Sequence, residues 1–107
     1  MAPNVEMQII THRRIRGFII KCLSFYNNEF INLELISDFV RECGIGATNN
    51  EVFEQVTYLK GKEYLTTVEK GDPQTGTKKV VIAEITPKGI DLIEENIGKD
   101  PGIIFPR

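Results

Sequence analysis

The clearest periodicity in the chain is Ile15, Phe18, Ile19, Cys22, Leu23 and Tyr26, spaced three and four apart, which predicts an amphipathic helix with one buried stripe. Asn4 and Thr11 each offer a side-chain oxygen to cap its start, and Asn27-Asn28 mark its end. Ile9, Ile10 and Ile20 lie off the main stripe. Phe30-Ile31 is a brief apolar pair, read as a short strand, followed by Asn32 as an N-cap. The next stripe is Leu33, Ile36, Val40 and Cys43, with Gly44 as the stop. A third helix opens on Thr48-Asn49-Asn50-Glu51, the spacing of a capping box, buries Val52, Val56 and Leu59, and is expected to end on a left-handed Gly61. Only Gly44 to Ala47 separate the second and third helices, the length a helix-turn-helix allows.

After Gly61 the period becomes strand-like. Tyr64 to Val68 and Val80 to Ile85 are rich in β-branched and aromatic residues, and Gly71-Asp72-Pro73-Gln74-Thr75-Gly76 between them reads as the tip of a long antiparallel hairpin. Thr86-Pro87 starts a last helix with proline in its first turn and an Ile85/Ile90 staple. Ile90, Ile93 and Ile97 form its apolar face, Gly98 ends it, and Pro101 and Pro106 keep the tail extended.

That order, helix, short strand, helix, helix, strand, long turn, strand, helix, predicts an α+β winged helix-turn-helix: a three-helix core, a two-stranded β wing and a C-terminal helix. The chain is read as one domain over 1–107, with 1–10 an N-terminal extension or helix start and 99–107 an apolar tail. Leu59-Lys60-Gly61-Lys62-Glu63-Tyr64-Leu65 resembles the helix-to-wing passage of winged helix-turn-helix regulators, and Ile85-Thr86-Pro87-Lys88-Gly89 resembles their final-helix entry. From about Val5 to Asp100-Pro101-Gly102 the arrangement is similar to a small winged-helix family encoded in Mu-like transposable prophages. The resemblance implies a DNA-binding, regulatory protein of phage origin, and winged-helix regulators often pair through terminal elements. Members of that family often carry arginine in the recognition helix; the equivalent positions here are Asn49 and Phe53.

The net charge of -2 over 107 residues argues against nucleic-acid binding by bulk charge alone, and its distribution matters more. Four basic residues face one acidic residue in 1–24, two face six in 25–60, four face four in 61–85 and three face four in 86–107. The longest apolar run, Val80 to Ala83, is far below the roughly 18 residues of a membrane span, and no signal-peptide core opens the chain, so a cytoplasmic protein without membrane partners is expected. Cys22 and Cys43 fall at apolar helical positions and read as reduced core residues, which excludes a disulfide scaffold.

With 3.6 residues per turn, the third helix presents Asn50, Glu54 and Thr57 opposite its buried stripe, flanked by Glu51 and Tyr58. Asn50 suits adenine, Glu54 suits the cytosine amino group, and the Thr57 methyl suits thymine. The phosphate-neutralising charge has to come from the periphery: Lys60 and Lys62 after the helix, Lys70, Lys78 and Lys79 around the wing tip, and Arg13, Arg14 and Arg16 on the polar side of the first helix. The candidate DNA-contacting set is thus Asn49, Asn50, Glu54, Thr57, Tyr58, Lys60, Lys62, Lys70, Lys78 and Lys79, with double-stranded DNA as partner and a homodimer as the expected assembly. The alternative is a winged helix used only for protein-protein contact.

An enzyme is not expected. His12 is the single histidine, so neither a Ser-His-Asp triad nor a histidine-rich metal site can be assembled, and it reads as exposed and inert. Gly44-x-Gly46 and Gly61-Lys62 lack the rest of any nucleotide-binding motif, and no cofactor is predicted. The apolar Ile103-Ile104-Phe105 needs a surface, either the chain's own domain or a dimer partner; Ile9, Ile10 and Ile20 offer to widen such a dimer seam.

Overall fold

The computed structural model describes residues 3–27, 29–71 and 79–106. Its elements are α1 (Pro3–Phe25), β1 (Ile31–Asn32), α2 (Leu33–Glu42), α3 (Asn49–Gly61), β2 (Leu65–Gly71), β3 (Lys79–Ile85) and α4 (Pro87–Ile93), an α+β arrangement of four helices and one antiparallel sheet. The sheet runs β1-β3-β2, so the two-residue β1 adds to the far side of the hairpin through Ile31 opposite Ala83 and Asn32 opposite Ile82. In the hairpin Leu65 lies opposite Ile85 and the register continues to Gly71 opposite Lys79. The turn 72–78, which includes Lys78, the side chain of Lys79 and Asn28 lie outside the described residues.

Local side-chain chemistry sets three of the helix starts. Asn32 Oδ1 accepts from the Glu34 N–H at 2.7 Å, Thr48 and Glu51 close their capping box at 3.0 and 3.1 Å, and Thr86 Oγ1 accepts from the Gly89 N–H at 3.1 Å with Pro87 in the first turn. Gly44, at φ +95°, stops the chain after α2 as expected. The first helix departs from expectation at its start. It already runs from Pro3, so Asn4 sits in its first turn and Thr11 is interior, and neither is its cap.

Two helix ends also differ. Gly61 is the last residue of α3 and carries no positive φ; the left-handed residue is Glu63, at φ 69°. α4 stops at Ile93, and Glu95 takes the left-handed turn at φ 62°, leaving Ile97 exposed and Gly98 beyond the helix. A side chain in this region costs roughly 1 kcal/mol or more that glycine avoids. Glu63→Gly is therefore expected to raise the urea midpoint, corresponding to about 0.5–1 kcal/mol, and an unchanged or lower midpoint would refute the strain reading.

The core joins Ile15, Ile19, Ile20 and Leu23 of α1 to Ile36 and Val40 of α2, Val52, Val56 and Leu59 of α3, and Leu65, Ala83 and Ile85 of the sheet. Ile20 is fully buried in the shared core and so leaves the proposed dimer seam. Cys22 is buried as expected, but Cys43 and Tyr26 are exposed, both lying beyond the last turn of their helices. No described helix is long and apolar enough to cross a membrane.

Candidate nucleic-acid interface

Among the described residues, α3 has one exposed face. Asn50, Glu54 and Thr57 are exposed, while Val52, Val56 and Leu59 are buried beneath them. Thr57 donates its hydroxyl to the Phe53 carbonyl at 3.0 Å, leaving its methyl as the outward contact. Glu51 is committed to its capping box. Asn49 Oδ1 accepts from Arg41 at 2.9 Å, and the same guanidinium donates to the Ala47 carbonyl at 3.2 Å and to Asp38 at 2.7 Å. Arg41 thus ties the end of α2 to the start of α3 and fixes the turn between them.

Charge around this face is divided. Lys60 is exposed at the C-terminal end of α3 and shares a surface depression with Lys88, Glu63, Thr66 and Thr86. Lys88, which the sequence marks only as part of a helix entry, joins this face, its ammonium 5.3 Å from the Tyr64 ring centre. Beside α3, a groove of about 230 Å³ is walled by Phe53, Thr57 and Lys60 on one side and Thr67, Glu69 and Val81 on the other. Strand alternation puts Thr67 and Glu69 on the Leu65 side of β2 and Lys70, with Val68, on the opposite side. Lys70 is exposed but stands away from the α3 groove.

Arg16, Tyr58 and Lys62 are diverted by a network that fastens the C-terminal segment. Arg16 is not part of a solvated face: its guanidinium donates to Gln55 Oε1 at 2.7 Å and to the Gly102 carbonyl at 2.9 Å, and lies 3.7 Å over the Tyr58 ring. Tyr58 is correspondingly half-buried and off the free face. Lys62 turns toward Asp100, 3.7 Å away. Arg14, two residues and about 200° around the helix from Arg16, is exposed and lines a surface depression with Phe18, Gly44, Ile45 and Ile104. The Asp100 carboxylate also accepts from the Tyr64 hydroxyl at 2.7 Å and the Gly102 N–H at 2.8 Å. Burial alone would raise the Asp100 pKa, but Tyr64, Gly102 and Lys62 outweigh it and hold the carboxyl below its ordinary value. Tyr64 is pushed up to about 12 by burial and by its bond to Asp100.

The tail folds back on its own domain. The Ile104 N–H donates to the Arg13 carbonyl at 3.0 Å, Ile103 is buried, Phe105 is half-buried against the core, and Ile104 remains 38 % exposed. His12 is half-buried on α1 rather than exposed. Burial, with a smaller contribution from Cys43, pushes the Cys22 thiol up to about 11, so it is an inert thiol at neutral pH. Among the described residues, no group of three His, Cys, Asp or Glu side chains is placed to hold a metal ion.

No protein-family profile matches the chain, and no curated protein matches it in sequence.

Proposed function

We propose that the chain is a winged helix-turn-helix protein that binds double-stranded DNA as a transcriptional regulator, of the phage-derived kind its sequence resembles. The observation that carries this reading is α3: capped, locked to α2 through Arg41, free along Asn50, Glu54 and Thr57, and flanked at its C-terminal end by Lys60 and Lys88. In helix-turn-helix docking the N-terminal part of the recognition helix meets base edges while surrounding cations meet phosphates. Asn50 and Glu54 then take the groove floor, where an acceptor such as Glu54 suits cytosine. Lys60 and Lys88 take the adjacent backbone, and the hairpin lies along it as the wing.

Fluorescence anisotropy on a mixed-sequence duplex at low salt tests this reading. The chain binds, and Lys60→Glu with Lys88→Glu weakens binding across sequences by at least about tenfold and lowers the salt slope by roughly 1 per lost phosphate contact. No binding to any duplex, or binding indifferent to both reversals, defeats it.

A further inference from the structure

α1 is about 34 Å long at 1.5 Å per residue, and only its C-terminal part enters the core. Residues 5–10 are all exposed, with Val5 at 58 %, Met7 at 65 %, Ile9 at 43 % and Ile10 at 42 %. A projecting helical end with four large apolar residues in water calls for a covering surface. The pattern on one of its faces specifies which surface. Glu6, Ile9, Ile10 and Arg13 stand at i, i+3, i+4 and i+7, a single face about 100° wide with an acid at one end, a base at the other and two isoleucines between. Among the described residues neither Glu6 nor Arg13 has an ion-pair partner.

Such a face is complementary to itself when turned end for end. In an antiparallel helix pair around a two-fold axis, opposed positions have numbers that add to a constant. Placing Ile9 against the partner's Ile10 also places Glu6 against the partner's Arg13, and the axis repeats both contacts. Parallel pairing would set like charges together. At its C-terminal edge the face runs into Ile104, tied by its N–H to the Arg13 carbonyl and exposed, which continues the apolar strip. We propose that the N-terminal half of α1, with Ile104 at its edge, is the docking surface for a second copy of this chain, paired antiparallel through Ile9/Ile10 and two Glu6–Arg13 ion pairs. The proposal uses no residue of α3 or the hairpin, and its test reads association between copies with no DNA present, so it can fail or hold separately from the DNA-binding reading.

Sedimentation equilibrium of the full chain over a concentration series tests it. The chain is expected to be a reversible dimer, and Ile9→Glu with Ile10→Glu to yield a monomer whose thermal melt is otherwise retained, because both positions are exposed in the monomer. Glu6→Arg alone and Arg13→Glu alone each oppose like charges twice and weaken the dimer by about tenfold; combined, they restore it to within about threefold of the parent. A chain that stays monomeric at about 100 µM overturns the proposal, placing any affinity below the range of a specific dimer. A dimer unmoved by the isoleucine changes, or charge reversals that do not rescue one another, also overturns it, because another face then joins the copies.

Discussion

Gly17→Ala is expected to destabilise the domain by about 2–4 kcal/mol, although the same change inside an ordinary helix stabilises by about 1 kcal/mol. A Cβ at this position would fall on the Ile104 carbonyl oxygen, 2.7 Å from the carbonyl carbon and 3.0 Å from the Phe105 Cα. All three atoms are backbone, so no side-chain rotation relieves the overlap and the tail must lift. Lifting it breaks the Ile104–Arg13 and Arg16–Gly102 bonds and uncovers Ile103. Urea unfolding measures the loss, and a truncation after Lys99 identifies its cause. Without the tail the clash disappears, so Gly17→Ala in the shortened chain is neutral or stabilising, and the two changes are strongly non-additive. If Gly17→Ala stabilises the full chain, the tail does not rest on α1 as described.

Gly17 also shows where local reading stops. The starts of α2, α3 and α4 are legible because a cap joins a side chain to a backbone group two or three residues away, within reach of a spacing rule. An isolated glycine in a helix carries no such local partner; its reason is a strand of backbone 87 residues further on. A glycine interior to a helical pattern is the available signal, since it normally lowers helix stability and so points to a close approach. The end of α4 at Ile93, short of Gly98, has the same kind of cause. The tail must turn back toward α1, so the chain leaves the helix at Ile93 through Glu95 rather than continuing to the glycine that composition favours.

For the candidate interface, helical periodicity correctly exposed Asn50, Glu54 and Thr57 because surface and core alternate by simple geometry. The cations were not sortable in that way. A lysine or arginine has a long flexible stem, and whether its head meets water or a folded partner depends on what the chain brings within reach. Arg16 and Lys62 find Gln55, Gly102, Tyr58 and Asp100, whereas Lys60 and Lys88 come together from segments 28 residues apart.

The Asp100→Asn substitution is expected to cost about 1.5–3 kcal/mol at neutral pH, and that cost should shrink in acid. Ionised Asp100 only accepts, and it does so from the Tyr64 hydroxyl and the Gly102 N–H with Lys62 nearby. An asparagine amide can still accept from the Gly102 N–H and, with the Tyr64 hydroxyl rotated, donate to its oxygen, but both bonds lose their charge assistance and Lys62 loses its ion-pair partner. The pH dependence follows from the direction of the shift. The folded carboxyl titrates below its unfolded value of about 3.9, so its stabilisation is present above that pH and is lost as pH falls through the folded pKa. Once protonated, the aspartic acid also carries a donor, and the parent chain approaches the variant. Urea unfolding of both proteins from pH 7 to pH 3 should show the gap narrowing below about pH 4. Tyr64 adds the opposite limb: raised to about 12, it contributes stability below its ordinary value that is lost as pH climbs toward 12, and Asp100→Asn should reduce this alkaline loss by removing the carboxylate charge beside the hydroxyl. A gap that stays constant across the acid range would mean that Asp100 fastens the tail by shape and not by charge.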